Sequence, residues 1–152
     1  MEPCNYGRSF EYCSPVWASA ADCHLALLNS TLARIKVLIP DLEIDLTHRR
    51  NVASGCMFFK IVNYSRHPVH KLLPRHYIPS RITRLSISMN SKAFDLDSIK
   101  SRTFHHQRSF LPSMARMWNR LSNDIVECTK VQKFKEKINK CLKTLNLDSI
   151  YV

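Results

Sequence analysis

Hydrophobic residues recur at helical spacing in two long segments of the first half of the chain. In residues 21–39, the large apolar side chains that share one helical face are Leu25, Leu28, Leu32, Ile35 and Ile39. Pro40 ends this pattern, since proline cannot continue a helix. Residues 46–64 form the second predicted helix, with Asp45 as its N-cap. Gly55 in its middle indicates close packing against a neighbour, because glycine costs about 1 kcal/mol relative to alanine inside a helix.

The second half of the chain predicts two more helices. The shorter one, at 113–121 with Ser113 as its cap, brings four large apolar residues onto one face: Met114, Met117, Trp118 and Leu121. Trp118 is therefore predicted to be a core residue rather than a stacking platform. The last helix spans 130–145 and is capped by Thr129, with an apolar stripe on one face and lysines on the other.

The segment between these helices has a different character. A brief helical turn is predicted at 69–73, and residues 75–112 are then rich in Pro, Arg, Ser and Thr. Strict alternation at 85–89 predicts a strand, for which 103–110 is the predicted partner in a small hairpin, with extended arms as the alternative. The predicted fold is mainly α: a small helical bundle with a short β-hairpin in the middle and a disordered N-terminus at 1–9. The helical part is assigned to 10–74 and a basic C-terminal region to 75–152.

Charge changes this picture more than any other property of the composition. The net charge is +11, and the block from Arg49 to Arg120 contains fourteen Lys and Arg but only two acids, Asp95 and Asp97. Arginine outnumbers lysine ten to four in this block, which suits bidentate contacts with phosphate. Such a block is the usual footprint of a nucleic-acid partner. The alternative is a basic surface that only keeps the protein in solution.

The strongest candidate binding segment is 102–108, which joins two arginines, two histidines and an aromatic ring. Arginine can form bidentate hydrogen bonds with a phosphate, and Phe or His can stack on an unpaired base. The predicted nucleic-acid-binding residues are Arg49, Arg50, Arg81, Arg84, Arg102, His105, Arg108, Arg116 and Arg120. For 102–108 the alternative is structural: its arginines would bond helix C-terminal carbonyls, with Phe110 in the core. For Arg49, Arg50, Arg81 and Arg84 the alternative is weak surface ion pairs with the acids at 41–45.

Several other classes of function find no support in the residues. Gly7 and Gly55 are the only glycines, so no glycine-rich phosphate loop exists, and no Asp-Asp pair is present to hold metal ions. The six cysteines form no Cys-x-x-Cys pair and are predicted to be reduced and mostly buried. No catalytic residue, cofactor, metal or membrane partner is expected. Without a signal-peptide pattern at the N-terminus, an intracellular location is expected, with nucleus and cytoplasm not distinguished.

Short motifs along the chain carry a family resemblance. Residues 10–20 read FEYCSPVWASA, 47–53 read THRRNVA, 108–112 read RSFLP and 118–122 read WNRLS. Their sequence and order resemble the thumb and post-thumb region of reverse transcriptases from jockey-like non-LTR retrotransposons, over about 10–145. Residues 1–9 do not match and read as an unrelated start.

The resemblance implies a C-terminal fragment of an RNA-directed DNA polymerase without its catalytic carboxylates. Such a fragment would retain electrostatic, non-sequence-specific binding of RNA, DNA or an RNA–DNA hybrid. Two alternatives stay open. The first is a small helical interaction module, with self-association through exposed apolar faces. The second is a relic that has no function.

Overall fold

The computed structural model describes residues 13–17, 20, 22–38, 45–75, 96 and 99–144. These residues form α-helices and one 3₁₀ turn, with no regular strand among them. The helices are α1 (Ser14–Trp17), α2 (Asp22–Leu38), α3 (Leu46–Asn63), α4 (Phe104–Arg108), α5 (Phe110–Arg120), α6 (Asn123–Val126) and α7 (Val131–Thr144), and the 3₁₀ turn spans Pro68–Leu72. The predicted mainly α fold is confirmed. The predicted disorder at 1–9 and the predicted strand at 85–89 lie outside the described residues.

Helix α3 is the central element of the bundle. It packs against α1, α5, α7 and the 3₁₀ turn. The core is aromatic where α3, α5 and α7 meet: Phe59 stacks on Phe134 at 4.4 Å between ring centroids, and Phe58 meets Trp118 edge-on at 5.6 Å. Trp118 is buried, as its helical spacing predicted. Aromatic pairs in these geometries contribute about 0.5–1.5 kcal/mol beyond the area that they bury.

Gly55 allows α3 to approach the other two long helices of the core. A Cβ atom added at this position would lie 2.5 Å from Cδ1 of Ile138 in α7 and 3.3 Å from Cε of Met117 in α5. Both side chains are buried, so neither can move aside without disturbing its own neighbours. The close packing predicted from a glycine inside a helix is confirmed.

Both ends of α3 follow from local hydrogen bonding. The Asp45 carboxylate accepts a hydrogen bond from the backbone N–H of His48 at 3.0 Å, as the predicted N-cap should. At the other end, the N–H of Tyr64 donates to the carbonyl of Lys60 at 2.9 Å. Helices α2 and α7 also agree with the predicted segments 21–39 and 130–145 to within a residue at each end.

The predicted strand at 103–110 is wrong, because these residues form α4 and the start of α5. Thr103 is β-branched and suits a strand, but here its hydroxyl accepts a hydrogen bond from the N–H of His106 at 3.2 Å and caps α4. Helix α5 begins at Phe110, with Ser109 rather than Ser113 as its N-cap. Pro112 lies in the first turn of α5, where a proline breaks no hydrogen bond because those N–H groups have no partner within the helix.

Helix α2 is amphipathic but buries little of its apolar surface. The stripe of Leu25, Leu28, Leu32 and Ile35 is half-buried. Leu27 is 65% exposed, and Val37 and Leu38 are each 80% exposed. No helix in the described part of the chain is both long and apolar enough to cross a bilayer.

The described cysteines are free thiols, and their burial differs from the prediction. Cys13 and Cys23 are exposed, whereas Cys56, Cys128 and Cys141 are half-buried. The expectation of buried thiols is therefore wrong for Cys13 and Cys23, whereas the other three are partly buried against the core. The exposed pair lies on or beside α1 and α2, whose described residues contribute no buried hydrophobic side chain to the core.

Candidate nucleic-acid interface

Basic residues dominate the described surface between α3 and α5. The described residues from Arg49 to Arg75 and from Ile99 to Arg120 include eleven Lys and Arg and no Asp or Glu. Eight of the eleven are exposed: Arg49, Lys60, Arg66, Lys71, Arg75, Lys100, Arg102 and Arg120. Arg108 and Arg116 are half-buried, and Arg50 is buried. Arg81 and Arg84, predicted to belong to the same surface, lie outside the described residues.

Helix α4 presents the predicted segment 102–108 at the surface. Arg102 and His105 are exposed. The guanidinium carbon of Arg108 lies 5.3 Å from the centroid of the Phe104 ring, and Phe104 itself is 62% exposed. An exposed ring with a cation over it can stack on an unpaired base while the cation attracts a phosphate. These four side chains are called the α4 platform below.

Neighbouring side chains hold the α4 platform in place. His106 Nδ1 lies 2.8 Å from the hydroxyl of Ser101, and the Ser109 hydroxyl donates to the carbonyl of His106 at 2.7 Å. Arg116 in α5 donates from Nη2 to the carbonyl of Gln107 at 3.0 Å, near the end of α4. Arg116 thus makes the kind of contact, with a carbonyl near a helix C-terminus, that is the structural alternative for the arginines of 102–108.

The adjacent arginines of α3 have different environments. Arg50 is only 6% exposed, and its guanidinium carbon lies 5.0 Å from the centroid of the half-buried Trp17 ring. This cation–π contact joins α1 to α3 through Trp17. Arg50 is therefore not one of the exposed cations of this surface, whereas Arg49, one position earlier, is exposed to solvent.

A groove of about 650 Å³ runs between α3 and α7; we call it the α3–α7 groove. Its basic residues are Arg49 and Lys60 from α3 and Lys135 from α7, and Glu136 is the one acid among its described lining residues. His48 Nε2 and Asn139 Oδ1, 2.6 Å apart, link the two helices across it. Burial raises the pKa of the Cys56 thiol in this groove, and the charges of Lys135 and Lys60 partly offset the rise.

Sequence reasoning did not assign Lys60 and Lys135 to a site. Their helical spacing with Arg49 and Val131 places each on a definite face of its own helix, but which faces meet depends on tertiary packing. Asn119 was also missed as a structural residue. Its side-chain amide accepts from the N–H of Leu96 at 3.0 Å and donates to the carbonyl of Leu96 at 2.9 Å.

A smaller hollow of about 290 Å³ lies beside the α4 platform, lined by residues that include Ile99, Ser101, Gln107 and Arg116. Within the described residues, no three His, Cys, Asp or Glu side chains are grouped so that they could hold a metal ion.

Comparison of the chain with protein-family models, with curated proteins and with solved structures yields no match. The charge and geometry described above are therefore the features that point to a function.

Proposed function

We propose that this protein binds nucleic acid without sequence preference, as a non-catalytic C-terminal segment of a jockey-like non-LTR reverse transcriptase. The observation that carries the proposal is the charge of the described residues from Arg49 to Arg75 and from Ile99 to Arg120. This part of the chain has eleven cations and no acid, and eight of the cations are exposed. A surface of that kind attracts the phosphate backbone of RNA or DNA.

The binding mechanism is electrostatic. Lysines and arginines neutralise phosphates and release condensed counterions, so affinity falls as salt rises. At the α4 platform, Arg102 supplies a charge, and Phe104 with Arg108 above it supplies a stacking surface for an unpaired base. Such contacts are nearly independent of base identity, because every base has a stacking face and every nucleotide a phosphate.

The same proposal assigns no polymerase activity to the chain. Phosphoryl transfer of the reverse-transcriptase type uses carboxylates that hold two metal ions at the primer end, and the sequence contains no Asp-Asp pair. We expect the purified protein to give no primer extension in the presence of Mg²⁺. Extension that disappears when a chelator is added would contradict the proposal.

A salt series tests the binding itself. If about five phosphates are contacted on duplex DNA, the log–log slope of affinity against salt should be roughly −4 to −5. Replacing Arg102 and Arg108 with Ala should weaken binding to all sequences alike and flatten the slope by about 2. Fluorescence anisotropy with labelled RNA, DNA and hybrid probes measures both quantities.

The matched control replaces two lysines of α7 that face solvent, Lys133 and Lys140. Lys137 is unsuitable, because its ammonium donates to the carbonyl of Asp124 at 2.7 Å and lies 3.3 Å from the carboxylate of that residue. If the lysine pair costs more affinity than the arginine pair, the basic block serves only as a solubilising surface.

A second candidate function is a helical protein-interaction module that self-associates. The observation that favours it is the exposed apolar surface of α2, chiefly Leu27, Val37 and Leu38. Light scattering across a concentration series should then detect dimers, and Val37→Glu with Leu38→Glu should remove them. A chain that stays monomeric at all concentrations would rule self-association out.

A further inference from the structure

The α3–α7 groove combines cations and apolar groups in one concave site. Helix α3 contributes Val52, Ala53 and Cys56 to the lining between Arg49 and Lys60, at the spacing of a single helical face. Helix α7 contributes Val131, Lys135 and Asn139 from the facing wall. At about 650 Å³, the groove lies within the range of small-ligand sites.

The packing of the two helices gives the groove its shape in the absence of a ligand. Gly55 and Ile138 bring α3 and α7 together next to the groove, and Phe59 stacks on Phe134 in the adjoining core. The contact between His48 and Asn139 holds the walls at one position. A ligand would therefore meet walls that are already in place, which lowers the entropic cost of binding.

The positive charge of the groove comes from both walls. Lys60 of α3 and Lys135 of α7 each lower the pKa of the same half-buried thiol, that of Cys56, against the larger effect of burial. The two ammonium groups thus act on one region of the groove from opposite sides. Glu136 reduces the positive charge without cancelling it, because three cations line the groove: Arg49, Lys60 and Lys135.

We propose that the α3–α7 groove binds an unpaired segment of nucleic acid, with a phosphate between Lys60 and Lys135 and the adjoining base against Ala53 and Val131. This proposal rests on the proposed nucleic-acid binding and adds a preference for single strands. An unpaired base is free to reach an apolar wall between two helices, whereas a duplex presents its phosphates and keeps its bases stacked inside. A duplex gains nothing from the apolar wall and would use the exposed cations outside the groove.

Charge-reversal variants test the groove. Lys60→Glu with Lys135→Glu changes the net charge by the same amount as Lys133→Glu with Lys140→Glu, and all four residues are exposed. The control residues do not line the groove. For a labelled oligothymidylate, the groove pair should lose at least about tenfold more affinity than the control pair. For a duplex of the same length, the two pairs should differ by less than about threefold. Equal losses for the single strand would overturn the assignment.

Thiol footprinting gives a second readout that needs no substitution. Cys56 lies in the groove, whereas Cys13 and Cys23 are exposed elsewhere and serve as internal references. We expect saturating oligothymidylate to slow the alkylation of Cys56 by N-ethylmaleimide at least about fivefold, because a bound strand excludes the reagent. The rates at the two reference thiols should not change.

The two proposals fail in different ways. If the wild-type protein binds no nucleic acid at low salt, the proposed function and the groove assignment both fall. If it binds the oligothymidylate while Cys56 stays as reactive as before, the groove assignment alone falls. Circular dichroism of each variant checks that the helices of the bundle are retained.

Discussion

At the scale of single residues, the contact between Gly55 and Ile138 gives a sharp prediction. Gly55→Ala should gain about 1 kcal/mol in helix propensity. It also places a Cβ 2.5 Å from Cδ1 of Ile138, which is fully buried, and overpacking a core costs about 1–3 kcal/mol. We therefore expect a net loss of about 1 kcal/mol in the free energy of unfolding, measured by urea denaturation.

The control for this prediction is the same substitution in an Ile138→Val background. Valine lacks the Cδ1 atom, so the collision is relieved and the helix-propensity gain of alanine remains. Gly55→Ala should then be neutral or stabilising. An equal loss in both backgrounds would show that the Ile138 contact is not the cause.

Asn119 offers a second residue-scale prediction. Its side chain makes two hydrogen bonds with the backbone of Leu96, which is itself buried. Asn119→Ala should cost about 1–3 kcal/mol and speed hydrogen exchange at the Leu96 amide, because both backbone groups lose their partner. Asn119→Asp keeps the acceptor and loses the donor to the Leu96 carbonyl. Wild-type stability in the aspartate variant would therefore contradict this account.

The sequence predicts the close packing at Gly55, though not its partner Ile138, and does not predict the contact of Asn119. Glycine inside a helix lowers helix stability relative to alanine, and close packing against a neighbour is a reason to keep it there. The identity of residue 55 therefore indicates its structural role. The bonds of Asn119 are to the main chain of a residue far away in sequence, and any residue at 96 would supply the same groups. Such a contact with the main chain therefore cannot be predicted from the pattern of side chains in the sequence.

At the scale of the element, hydrophobic periodicity predicts the three long helices that carry an apolar stripe on one face: α2, α3 and α7. It fails at α4, because Thr103 suits both a strand and a helix N-cap. The predicted start of α5 at 113 is too late, because the helix begins at Phe110 and accommodates Pro112 in its first turn. At α4, local hydrogen bonding at the N-cap decides the structure.

Substitutions at Thr103 distinguish a role as helix N-cap from a role as strand residue. Thr103→Val keeps the β-branched shape but removes the hydroxyl that accepts from His106, so the variant should lose about 1 kcal/mol of stability. Thr103→Asp keeps a capping oxygen and should stay close to the wild type. Chemical denaturation of the three proteins measures the difference. A valine variant more stable than the wild type would favour a strand at this position.

At the scale of the whole molecule, the basic block could be predicted from the sequence, whereas the distribution of its members between surface and interior could not. Arg49 and Arg50 are identical in type and adjacent, yet one is exposed and the other lies against Trp17. Lys60 and Lys135 line one groove only because α3 and α7 pack together. The composition fixes the charge, and tertiary packing decides which charges meet.

The shared core predicts one cooperative unfolding transition. Phe134 is fully buried in α7 and stacks on Phe59 of α3, so neither helix keeps its core contacts without the other. Phe134→Ala should cost about 3–5 kcal/mol and lower the melting of both helices together. Calorimetry and far-UV circular dichroism should give the same midpoint. A separate earlier transition for α7 would contradict this view.

The pairing of α3 with α7 also bears on how the chain matures on the ribosome. Phe58 and Phe59 are synthesised long before Phe134, Ile138 and Leu142, the residues that bury α7 against the core. At about 5–20 residues per second, that interval lasts several seconds. During it the apolar face of α3 has no α7 to cover it, and a nascent chain in that state is the form most exposed to aggregation and to capture by chaperones.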